Sequence, residues 1–177
     1  MSALRLLREV EVVSGVTNLN VTDVFSADYD IYKIQTTGLS TTVSSSEAYD
    51  LRFINASGSI MDSSVYDYGF EIMKAETSFS VAQSTTGNDI DNFFALAKDG
   101  GFTGGQTRYV FDPFNPNTYT FVINQLAHIV SANMRSYKQI GVLHELISIT
   151  GFSLKGESDG ALDAGIIRVY GLHVEDS

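Results

Sequence analysis

The side chains of this chain that could do chemistry are three histidines, a scatter of carboxylates and one glycine-rich run. Metal sites built on histidine often pair residues two or four positions apart on one face of a strand or helix. His128, His144 and His173 offer no such pair: the first and last fall in alternating, strand-like runs, and His144 stands beside Glu145. Each reads as a packed or solvated side chain. A Ser-His-Asp triad draws its members from distant positions, so spacing leaves it open, but no Gly-x-Ser-x-Gly elbow supports one. Gly100-Gly101-Phe102-Thr103-Gly104-Gly105 lacks the Lys-Ser or Lys-Thr of a phosphate-binding loop and reads as a flexible loop tip.

The carboxylates cluster twice, in Asn88-Asp89-Ile90-Asp91-Asn92 and in Glu157-Ser158-Asp159-Gly160-Ala161-Leu162-Asp163. Both are as dense in oxygen as a calcium loop, and neither matches the twelve-residue pattern with its central Gly and terminal Glu. The first reads as a cap and turn, the second as a solvated acidic turn; cation binding by Asp89 and Asp91, or by Asp159 and Asp163, stays open. A glycosidase needs two carboxylates held at a set separation. No paired acid or activated nucleophile is visible, and the absence of Trp removes the usual sugar-stacking platform, although the nine Tyr could replace it. A glycan hydrolase acting through Asp159 or Asp163 is therefore the weakest reading. The sequence predicts a non-enzymatic structural or binding module with no catalytic residues, cofactor or metal.

Charge narrows the partners. The formal net charge is −10 and the basic residues are scattered, which opposes direct nucleic-acid binding because that affinity rests on cations displacing condensed counterions. No stretch supplies the roughly 20 apolar residues of a membrane helix, and the first residues lack the apolar core of a secretory signal; no membrane insertion is expected. With no Cys there is neither a disulfide framework nor a thiolate metal site. The charged fraction is 18%, below the roughly 25% of ordinary domains, so the surface is largely uncharged and polar.

These residues are carried by elements of period two. Val10 and Val12 alternate with Glu9 and Glu11, Leu19 and Val21 with Asn18 and Asn20, and Tyr49, Leu51 and Phe53 with Asp50 and Arg52, the mark of half-buried strands. Further strands are expected at 30–36, 68–74, 77–81, 108–111, 118–123, 129–137, 146–155 and 166–174, rich in β-branched and aromatic residues. Helix is expected only as one turn around Leu4, Leu7 and Arg8, and as about two turns over 89–98, where Ile90, Phe93, Phe94 and Ala97 would share a face. Segments 36–46 and 82–106 read as loops, the second long enough to host a partner contact. Asp112-Pro113-Phe114-Asn115-Pro116-Asn117 reads as a turn. The fold expected is all-β, an antiparallel, jelly-roll-like β-sandwich with at most one short helix in a long loop. Residues 14–177 form one domain, and 1–13 are either its first strand or an arm that clamps a neighbour. Candidate partner contacts are Leu4, Leu6, Leu7 and Val10 of that arm, with Phe93, Phe94 and Phe102 of the long loop.

Four phrases carry a resemblance: Val24 to Ile34, Leu51-Arg52-Phe53, Gly151-Phe152-Ser153-Leu154, and Ala164 to Leu172. Together they resemble the β-sandwich virion structural proteins of tailed bacteriophages, cyanophages especially, among tail-fibre and head-decoration modules. The similarity runs from the Phe25 strand to the Leu172 strand. It implies a homotrimer, located on the virion at the capsid surface or in the tail, with the major capsid protein or tail proteins as partners. The chain shows no coiled-coil or collagen-like shaft, a departure that favours capsid decoration (cement) over a complete fibre. The alternative is a tail or fibre-tip module that binds a host glycan or receptor. Tyr29 and Ile31 face one way and Tyr32 and Ile34 the other, so that strand should lie centrally or at a subunit contact. Gly171 inside the last strand signals a bulge or a close backbone approach.

Overall fold

The structure, a computed structural model, describes residues 3–42, 48–75, 79–95, 103–130, 133–156 and 161–173. Its strands are β1 (Ala3–Glu11), β2 (Asn18–Val21), β3 (Ile31–Thr41), β4 (Ala48–Asn55), β5 (Tyr66–Lys74), β6 (Phe79–Gly87), β7 (Ile90–Ala95), β8 (Thr103–Phe111), β9 (Thr120–Val130), β10 (Asn133–Leu143), β11 (Ile149–Gly156) and β12 (Leu162–His173). Eight of them make a sheet in the order β1-β12-β3-β8-β9-β10-β5-β6, and four make a second in the order β2-β11-β4-β7. All pairings are antiparallel. The chain passes back and forth between the two sheets, which pack face to face as the expected β-sandwich.

Alternation explains the layering. Along β3, Tyr32, Ile34 and Thr36 are buried while Ile31, Lys33 and Gln35 are only partly covered. From the small sheet Tyr49, Leu51, Phe53, Phe152 and Leu154 enter the same core, all fully buried. Aromatic rings knit the layers: Phe25 meets Tyr32 of the large sheet edge-on at 4.7 Å, a geometry that favours the ring quadrupoles, and lies 6.1 Å from the ring of Phe152 in the small sheet. As expected, β3 is flanked on both sides, by β12 and β8. Gly171 is a close approach: a Cβ there would lie 2.6 Å from the Tyr29 ring.

Five expectations are corrected. The helix over 89–98 is strand β7, paired through Tyr49↔Phe94 and Leu51↔Ile90. Its helix-like spacing comes from an irregularity: Asn92 adopts φ 54° and the register shifts between Tyr49 and Leu51, so Phe93 and Phe94 both turn inward instead of to opposite faces. The turn at Leu4, Leu7 and Arg8 is likewise strand β1. Leu7 is the extra residue of a bulge, since Leu6 pairs with Tyr170 and Arg8 with Val169, and a bulge imitates helical spacing. The run 129–137 is two strands, because β9 ends at Val130 and β10 starts at Asn133, facing each other. Of the two expected loops, 36–46 carries β3 as far as Thr41, and 82–106 carries most of β6, β7 and the start of β8. Ser and Thr are at home on an exposed strand face, which hid those strands. The turn at Pro113 and Pro116 stands, with Asn115 N–H donating to Asp112 O at 3.2 Å.

Candidate functional site

The predicted contact residues separate into three groups. Leu4 and Leu6 are each 49% exposed, on the edge strand of the large sheet. Leu7 and Val10, turned the other way beyond the bulge, pack against the core. Phe93 and Phe94 are fully buried and present no surface to a partner; their place is the sandwich interior. Phe102 lies outside the described residues, as does Asp159. Asp163 accepts a hydrogen bond from Ser14 Oγ at 2.8 Å.

Behind Phe93 and Phe94 lies a buried polar network that the sequence did not reveal. Arg108 of β8 is completely enclosed. Its Nε donates to Phe93 O at 3.0 Å, Nη1 to Thr36 Oγ1 at 3.1 Å, and Nη2 to Gln106 Oε1. The guanidinium lies over the Phe94 ring at 3.9 Å, a cation–π contact that is strongest when desolvated. Asn124 Nδ2 reaches both Phe93 O and Gln139 Oε1, and Gln139 Nε2 donates to Asp91 O. Among the described residues no carboxylate pairs with Arg108, and burial pulls its pKa well down. Enclosed on all sides, the network offers nothing to a substrate. What it does is tie β7 of one sheet to β8, β9 and β10 of the other.

At the neighbouring end of the sandwich the first acidic cluster is a structural knot. Asp89 Oδ2 accepts from Lys155 Nζ at 3.0 Å and faces Arg52 Nε at 3.6 Å; Asp91 accepts from Tyr68 Oη at 3.3 Å. Asp50 accepts from Asn92 N–H at 3.0 Å. Burial and then the Asp89 charge push the Asp50 carboxyl up to about 7, and burial followed by the Asp91 charge pushes Tyr68 up to about 12. No group of three or more His, Asp or Glu side chains among the described residues could hold a metal ion. His128 is buried, neither ring nitrogen has a hydrogen-bond partner among the described residues, and burial with the nearby Arg135 charge pulls it down to about 4. His144 Nε2 lies 3.4 Å from Asp67 Oδ2 at the surface.

The feature that stands out is the outer face of the eight-stranded sheet. Directly opposed residues in a sheet share a face, so the registers can be read as rows across it. One row runs Leu6, Tyr170, Lys33, Tyr109, Ile123, Ile140, Gly69, Gln83; the next runs Leu4, Leu172, Ile31, Phe111, Phe121, Val142, Asp67. A third row is polar as far as β5, running Glu9, Arg168, Gln35, Thr107, Gln125, Lys138, Glu71, and ends on the exposed Val81 of β6. Two adjacent apolar rows thus cross the sheet with no layer over them. Ile140 is 62% exposed, Phe121 47% and Ile123 44%. The missing side chain at Gly69 leaves a groove of about 670 Å³ bounded by Ile123, Ile140, Phe121 and Gln83. A signal for this face was available: in Phe121-Val122-Ile123 both alternating sets are apolar, which marks a strand covered on both sides.

The class defined by this architecture is the two-layer antiparallel β-sandwich with one uncovered apolar face. Comparison with protein-family models, with curated proteins and with solved structures finds no match to the chain.

Proposed function

We propose that this chain is a non-enzymatic structural protein of a tailed-phage virion, acting as a capsid decoration protein. The observation that carries the reading is the uncovered apolar face: a surface of that breadth has its use in assembly, and a cement protein works by spreading contact over neighbours so that many contacts must break at once. The polar features support it in a second way. Arg108 and its partners are enclosed and bind the two sheets to each other, as suits a protein that bears load.

Antibody labelling of intact virions, followed by electron microscopy, tests the reading. Signal distributed over the head is the expected result. Signal confined to the tail overturns decoration in favour of a host-binding tail or fibre-tip module, and absence from purified virions overturns both.

A further inference from the structure

We propose that the outer face of the eight-stranded sheet is covered by the same face of a second copy, related by a two-fold axis running along β9. The inference goes beyond the decoration reading by making a second copy of the chain the neighbour that takes up this face, so that contacts to other proteins fall on the remaining surface. It rests on the way this face complements itself.

Lys33 is the only charged residue in the row that runs through Tyr109, Ile123 and Ile140. It has no ion-pair partner among the described residues. At the same height on the other side of β9 lies Gly69, whose missing side chain opens the groove, and Asp67 stands one step along the same face. β3, which carries Lys33, and β5, which carries Gly69 and Asp67, are each two strands from β9. A two-fold axis along β9 keeps height along the strands and exchanges those two strands. Each Lys33 stem then lies in the partner's Gly69 groove with its ammonium beside the partner's Asp67, and the exchange occurs twice. The same operation sets Tyr109 on the partner's Ile140, and Phe121 and Ile123 on their own copies. A cation in an apolar row and an empty notch are thereby accounted for, and Asp67 beside the notch, which faces His144 Nε2 of its own chain at 3.4 Å, takes the ammonium as a second partner.

The area is adequate. Seven overlapping strands at ~4.8 Å and three rows at ~7 Å give a strip of roughly 700 Å² before side-chain relief is counted, close to the about 800 Å² per partner of a standard stable interface. Two such faces would stack as sheets do, about 10 Å apart. The arrangement differs from the three-fold ring implied by the phage resemblance, because a contact in which Lys33 and Asp67 exchange places is isologous.

Sedimentation equilibrium on the full chain reads the result directly. The expected mass is that of a dimer. Lys33→Glu and Asp67→Lys should each weaken association about tenfold or more, equivalent to about 1.4 kcal/mol, and the double exchange K33E/D67K should restore it. Gly69→Leu should give monomers: a Cβ at Gly69 has open space within its own chain, so the fold is retained while the groove is filled. Ile140→Asp, at a site exposed in the monomer, serves as the second disrupting variant, with circular dichroism confirming the fold of each. A monomeric or trimeric wild type overturns the proposal, as does a dimer that survives Gly69→Leu or one whose charge exchange fails to restore association.

Discussion

The Tyr66 hydroxyl shows how much a single oxygen can hold in this sandwich. It donates to Met61 O at 2.8 Å and accepts from Phe53 N–H at 2.9 Å, while its ring stacks on Phe53. It thus links a strand of each sheet and the segment between them, and burial pushes its pKa upward. Tyr66→Phe keeps the ring but deprives the buried Phe53 N–H and the part-buried Met61 carbonyl of this partner, so urea unfolding should show a loss of about 1–3 kcal/mol. Asp50 makes the opposite case. Its folded pKa, about 7, lies above its ordinary value of 3.8, so the native state retains a proton that the unfolded chain has released. The associated stability is full below about pH 4 and is lost by about pH 7. Above that, the buried charge costs up to about 4 kcal/mol. Asp50→Asn keeps the acceptor for the Asn92 N–H and should make the protein more stable at pH 8 while leaving it little changed at pH 4, as denaturant titrations at the two values would show.

Among the elements, the short strand β2 is the most exposed to a single change. Among the described residues its four positions pair only with β11, and Gly151 of β11 lies where any Cβ would run into the Val21 carbonyl. Backbone cannot swing aside as a side-chain tip can. Gly151→Ala should therefore lift β2 from the sheet, with a loss of about 1–3 kcal/mol, and hydrogen exchange should show protection lost at 18–21 first. The elements legible in the sequence were those with clean alternation, such as β3 and β4. What misled was irregularity: the bulge at Leu7 and the left-handed Asn92 both brought apolar side chains to one side at helical intervals. The Ser- and Thr-rich parts of β3 and β6 were hidden for another reason, since polar residues on an exposed strand resemble loop composition. Of the contact residues, Leu4 and Leu6 were readable as an apolar patch on the arm. The centre of the face was not, because its rows exist only once the register has brought Tyr109, Ile123 and Ile140 side by side.

For the whole molecule, two buried groups set opposite proton balances. His128, pulled down to about 4 from 6.5, contributes stability that is present above about pH 6.5 and lost as the pH falls through about 4, because only the unfolded chain readily takes the proton. Asp50 runs the other way over much the same interval. One proton is held by the native state and one by the unfolded state, so their two contributions oppose each other between about pH 4 and 6.5. Stability measured across that window should slope upward with pH in Asp50→Asn and downward in His128→Phe, with the parent between them; parallel curves for all three would refute the balance.

The place of β12 between β1 and β3 bears on the order of events during synthesis. Leu4 pairs with Leu172 and Ile31 with the same residue from the other side; β3 can pair with β8 beforehand, whereas β1, the first strand made, has β12 as its neighbour in the sheet and waits until that strand has been synthesised. Until then the apolar edge of β1 has no strand to zip onto, while β3, β8, β9, β10, β5 and β6 can already pair with one another. Such long-range closure is slow compared with local hairpin formation, and the nascent chain spends that interval with β1 and its leucines open to chaperones or to other nascent copies.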